Sequence, residues 1–189
     1  MKKVLMIGST FVVVLLLIVG ISWISAFNGE VSRNNDVVEY RGNVYAALSA
    51  RYEKVGAFID AIEGADADVT GYLTIISEAR QAFANAIASG NIAAANEAIS
   101  DIDGTFVTLL SYMEDNPESY NTVNLYSGFL GEFSASTNVV TTQIGEYNKK
   151  VNTYNTHIQR FPNNLFVGNK EKYESYNLEN YNSPLPTFN

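Results

Sequence analysis

The sequence predicts an all-α protein: an antiparallel four-helix bundle behind one N-terminal transmembrane helix. Three observations carry that prediction. Val4–Ile24 is a run of 21 residues without a charge. Beyond it, apolar residues recur at spacings of three and four, which places them on one face of a helix. No alternating strand pattern of useful length competes.

The apolar run comes first. At about 1.5 Å per residue it reaches roughly 30 Å, the thickness of a hydrocarbon core. Trp23, near its far end, suits the headgroup interface. Its length favours an uncleaved signal-anchor over residues 1–26. The rival is a signal peptide cut after Ile24-Ser25-Ala26. Lys2 and Lys3 precede the run, and Arg33 is the first base after it. That asymmetry predicts a cytoplasmic N-terminus and an extracytoplasmic domain. Gly8 and Gly20 do not form a small-residue pair for helix dimerisation.

Four helices follow, over about 28–63, 66–88, 91–115 and 118–161. Their stripes run Tyr45 to Ile62, Tyr72 to Ala86, Ile92 to Met113 and Val140 to Phe161. Gly64 suits a left-handed stop and Asp66 a cap. Ser89-Gly90-Asn91 separates the second and third helices, with Asn91 as cap. Asn116-Pro117-Glu118 reads as cap, first-turn proline and dipole-compatible acid. Phe161-Pro162 stops the last helix, because the residue before proline disfavours the helical region. Short connections favour antiparallel neighbours. Ser25–Arg33 contains no proline, so the first helix can run on from the span. Residues 166–189, rich in Asn, Tyr and Glu, have no amphipathic period and are expected to be an irregular or disordered tail.

Composition narrows the function classes. With no Cys and a single His, His157, there is no disulfide framework, thiolate zinc site or multi-His metal centre. The formal net charge of −8 becomes −10 once Lys2 and Lys3 are set aside. That argues against nucleic acid as a partner. No Lys or Arg lies between Arg80 and Lys149. Glu97, Asp101, Asp103, Glu114, Asp115 and Glu118 fall there and form a candidate acidic surface for a basic partner. Plain solubility explains the same acids. Asp101-Ile102-Asp103-Gly104 fails as a calcium loop, because Ile99 and Leu110 would occupy the first and last ligand positions. Glu114, Asp115 and Glu118 are the remaining cation candidate, and a charged helix start accounts for them without one. No metal or other cofactor is expected. His157 reads as a structural or solvated residue.

The last helix carries a repeated motif: Tyr147-Asn148, then Tyr154-Asn155, then Phe161-Pro162 and Asn164-Leu165. Its residues are candidate interaction sites. A recognition surface is one reading. The other is structural, with Tyr147 and Tyr154 in the seam and the two Asn bonded across helices or to turns. Asn is a poor helix former, so using it twice mid-helix needs a reason.

These residues resemble the LemA family of membrane-anchored bacterial helical proteins. A second block agrees, including Phe27-Asn28, Asn35, Val44, Leu48, Arg51-Tyr52-Glu53, Phe58-Ile59, Gly64 and Ala79-Arg80. Glu114 and Pro117 resemble the family's junction before the final helix. The resemblance implies a bromodomain-like arrangement over 27–165 and no known catalytic residue. Arg41 stands where the family usually has Trp, Lys54-Val55-Gly56-Ala57 replaces a Leu-Ile-Pro-Asn run, and Asn116 replaces an aromatic. The expected function is a non-catalytic scaffold or adaptor for envelope proteins, and not an enzyme. The alternative is a self-assembling homo-oligomer.

Overall fold

The computed structural model describes residues 2–62, 67–116 and 123–177. Five helices occur among them: α1 Lys2–Ile62, α2 Ala67–Ser89, α3 Ile92–Asp115, α4 Val123–Gln159 and the short α5 Asn164–Val167. No strand occurs among the described residues. The expectations at Gly64, Asp66, Pro117 and Glu118, and for the tail beyond Asn177, lie outside the described residues. So do the side chains of Ile59 and Ile62. α1 is one helix from the apolar run onward, as the lack of proline after the run allows.

The chain divides into two compact units. The first holds residues 1–40 and 149–173. Its α1 segment includes a helix long and apolar enough to cross a membrane. Phe11, Leu16 and Ile21 on it are exposed. Beyond that stretch, α1 and α4 run antiparallel, because their contacts descend one helix as they climb the other. Lys150 Nζ lies 3.0 Å from Asp36 Oδ2, and Tyr154 Oη donates to Glu30 Oε1 over 3.4 Å. His157 Nε2 lies 2.9 Å from the Ala26 carbonyl. That carbonyl only accepts, so Nε2 carries the proton and Nδ1 accepts from Asn163 Nδ2 at 3.1 Å. Ala26, Val37, Val151, Ile158 and Val167 are buried in this unit. Gly29 lets the helices close. A Cβ there would come within 2.6 Å of His157 Cε1 and 2.9 Å of Arg33 Nη1.

The second unit holds residues 41–148 and 174–189. Val44, Leu48, Val55 and Phe58 of α1 are buried here, together with Ile99, Ile102, Phe106 and Leu109 of α3 and Val140 and Ile144 of α4. Of the expected α1 stripe, Leu48, Tyr52 and Val55 are buried; at its start Val44 is buried in place of Tyr45, which is exposed and stacks on Phe83 at 6.4 Å. Phe106 meets Phe58 edge-on at 5.9 Å and Phe133 at 5.2 Å.

α2 and α3 pack as a hairpin. Its turn follows from Ser89-Gly90-Asn91. Gly90 has φ +71°, where a Cβ is penalised. Asn91 N bonds to Ala86 O and Gly90 N to Ile87 O, closing the end of α2. Asn91 Oδ1 then accepts from Ala94 N at 3.0 Å and caps α3.

Among the helix-interior glycines, Gly29 and Gly42 make opposite predictions. Gly42 has nothing near its missing Cβ, so Gly42→Ala should stabilise the chain by about 0.5–1 kcal/mol through helix propensity. Gly29→Ala has the same propensity gain but drives a methyl into His157 and Arg33, and should lower the melting temperature. Thermal unfolding of the two variants in detergent checks the contrast.

Candidate functional site

Each Tyr-Asn step of α4 grips one residue of the tail. In the first unit, Asn155 Oδ1 accepts from Tyr173 N at 3.0 Å, and Asn155 Nδ2 donates to Tyr173 O at 2.9 Å. In the second unit, Asn148 Oδ1 accepts from Tyr176 N at 3.0 Å and Nδ2 donates to Tyr176 O at 2.9 Å. The carboxamide presents one donor and one acceptor side by side, as a neighbouring strand would. Asp has no donor for this task, and a hydroxyl is not planar. This is the reason for Asn in mid-helix that propensity does not supply.

The tyrosines complete each grip. Tyr147 is fully buried, meets the Tyr176 ring edge-on at 5.2 Å and donates its hydroxyl to Glu174 O at 3.0 Å. Tyr154 is buried and meets Tyr173 edge-on at 5.0 Å. Tyr173 Oη in turn donates to Asn34 Oδ1 over 2.7 Å. Burial, helped by the charge of Glu30, pushes the Tyr154 phenol up to about 12. Burial also raises Tyr176. Lys150 is raised by its hydrogen bond to Asp36.

As far as Asn177 the tail is held by these contacts. Residues 171–177 form neither helix nor strand, yet Tyr176 is only 2% exposed. The Asn side chains satisfy backbone that regular structure leaves unpaired. A signal for this was present: Tyr173 and Tyr176 stand three apart. Three extended residues reach about as far as seven helical residues rise. Of the other motif residues, Phe161 is 72% exposed and Pro162 is exposed beside it.

The acidic residues separate. Glu97, Asp101 and Asp115 are exposed, and their spacings of 4 and 14 bring them to one side of α3 at about 100° per residue. Glu114 is half-buried, and Glu118 lies outside the described residues. No group of three metal-ligating side chains occurs among the described residues.

Asp103 corrects the reading of a solvated acidic face. It is 8% exposed and bonds Arg51 Nη2 through Oδ2 at 2.9 Å. Asp103 lies four residues after Ile99 and three before Phe106, inside the widened apolar stripe of α3. Arg51 holds the matching position on α1, with its guanidinium 4.4 Å from the Phe133 ring centroid. Opposite charges at stripe positions of two helices were the missed signal. Burial raises the Asp103 carboxyl to about 6, although Arg51 pulls it down.

Two outcomes follow from these contacts. Asn155→Leu should cost about 1–3 kcal/mol, because it strands the Tyr173 N–H and C=O, and amide exchange at Tyr173 should accelerate. For Asp103 the folded state holds its proton more tightly than the unfolded chain, whose carboxyl titrates near 3.8. Its stabilising contribution is full below that value and is lost as pH rises through about 6. Urea unfolding of the native chain should therefore gain on Asp103→Asn between about pH 7.5 and about pH 4. A constant difference between the two would refute the burial effect.

No curated protein and no solved structure matches the chain. The model of the LemA family matches residues 41–186, a range that takes in Tyr147-Asn148, Tyr154-Asn155 and the tail they grip. By that match, which covers most of its length, the chain belongs to the LemA family.

Proposed function

We propose that this protein is a single-pass membrane protein with a cytoplasmic N-terminus, whose helices form an extracytoplasmic, bromodomain-like four-helix bundle. In this reading the bundle is a non-catalytic scaffold or adaptor for envelope proteins and presents the outer side of α3 to a basic partner. The observation that carries the reading is the exposed set Glu97, Asp101 and Asp115 on a helix that has no Lys or Arg. Carboxylates collected on one side attract cationic partners and repel like surfaces. Family membership and the apolar start of α1 support the anchored arrangement.

The same charge works against self-assembly through this side of α3. A two-fold contact through it would set acids of one copy against acids of the other. The Tyr-Asn steps are committed to the tail and offer no free edge for a second chain.

Photo-crosslinkers placed at Ser100 and Gly104, beside the acids, should trap the same envelope protein reproducibly in intact cells. Glu97→Gln/Asp101→Asn/Asp115→Asn should slow association about tenfold at low salt. Recovery of the chain alone, or crosslinks indifferent to the triple substitution, would refute the reading. Cleavage of the domain by protease added to intact cells checks the orientation.

A further inference from the structure

α4 approaches the apolar end of α1, and the turn that follows it is unusually exposed. His157 bonds Ala26, two residues past Ile24. One more helical turn along α4 advances about 6 Å, toward the level of Ser22 and Trp23. α4 ends at Gln159, and Phe161 lies in the turn that follows it. The chain continues its helix-like bonding there, with Arg160 N on Thr156 O and Asn164 N on Arg160 O. Phe161 is 72% and Leu165 68% exposed, although neighbouring Val167 is fully buried. Two large apolar side chains are thus left uncovered in the turn after the helix end that meets Ala26, and Trp23 of α1 is itself 53% exposed.

A cleft of about 560 Å³ adjoins Phe161 and Pro162. Arg33, Asn152, His157 and Arg160 contribute to its lining, and no carboxylate does, in a chain where acids outnumber bases by 20 to 12. Arg33 Nη1 folds back along α1 to donate to Gly29 O at 2.9 Å. That contact draws the guanidinium about 6 Å nearer the apolar end than its own Cα, four residues of helix rise. The missing Cβ of Gly29 makes room for it and for His157. Glu30, three residues before Arg33 on α1, is buried and engaged by Tyr154 and Lys170.

We propose that this turn is a second membrane contact: Phe161 and Leu165 enter the headgroup region of the bilayer that α1 spans, and Arg33 with Arg160 hold the phosphate of an anionic phospholipid. The proposal rests on the membrane-spanning reading of α1. The lipid is chosen by three matching properties: exposed apolar side chains just beyond the α4 end that meets α1 next to its apolar run, guanidinium groups beside them, and a cleft without carboxylates. Arg is suited to bidentate phosphate binding, and basic residues are attracted to an anionic membrane surface. The contact would set the height and tilt of the α4 end against the membrane.

The test uses the full chain in lipid nanodiscs of phosphatidylcholine, with or without phosphatidylglycerol. Trp23 is the only native tryptophan, so its quenching by nitroxide-labelled lipid reports the span. In a Trp23→Phe background, Phe161→Trp reports the turn. We expect the introduced indole to be quenched by shallow labels more than by deep ones, and about twofold more strongly in discs with phosphatidylglycerol. Arg33→Gln/Arg160→Gln should abolish that lipid dependence. If native Trp23 is quenched while the indole from Phe161→Trp stays solvent-like, the second contact is wrong and the span stands. If Trp23 is not quenched, the span fails and this proposal falls with it. Equal quenching in both kinds of disc overturns the anionic-lipid assignment.

Discussion

An extended segment laid against helices must find a donor and an acceptor for every peptide it takes out of water. That constraint organises much of this protein. Asn155 meets it for Tyr173 and Asn148 for Tyr176, each with a pair of bonds near 3 Å. Once the backbone is satisfied, the tail can bury Tyr176 and close over Tyr147. The hydrogen bonds contribute modest net energy, but leaving them unmade would be expensive. The Tyr-Asn motif is therefore best understood as a device for holding chain, one carboxamide per gripped residue.

The polar groups admitted to the interior follow the same rule. Arg51 and Asp103 are buried together, and the guanidinium also lies over Phe133. Asp103 can shed its charge by taking up a proton, whereas Arg51 cannot, so the two partners are not equivalent in what their loss would strand. Glu30 is likewise buried, with Tyr154 Oη at 3.4 Å and Lys170 Nζ at 3.8 Å. In each case a charge that would oppose burial alone is accompanied by a partner. Such pairs are weak sources of net stability, and their plausible benefit lies in specifying which helices meet and in what register.

Charge is distributed unevenly among the described residues. α3 exposes acids on one side, while Arg33 and Arg160 gather around a cleft without carboxylates. An acidic side suits a basic protein and a guanidinium cleft suits phosphate, so the two surfaces ask for chemically opposite partners. Both readings are compatible with a protein whose first helix begins as a membrane-compatible segment.

Much of the fold was legible in the sequence, because helices are local. Spacing of three and four, the Ser89-Gly90-Asn91 break and the lack of proline after the apolar run sufficed for α1, α2 and α3. The Tyr-Asn repeat was recognisable as a motif, and Tyr147 and Tyr154 are buried as their stripe positions imply. What Asn148 and Asn155 hold was not legible, because their partners are 28 and 18 residues away and carry no helical period. Asp103 passed for a surface acid because only contact with Arg51, 52 residues earlier, makes its burial tolerable. Nothing in the spacing marks Gly29 as a packing position; only His157 and Arg33 against it give it that role. Periodicity along one segment determined which residues turn inward. Which distant polar group makes that burial acceptable was decided only by the tertiary structure, since hydrogen bonds and ion pairs depend on distance in space and not on spacing along the chain.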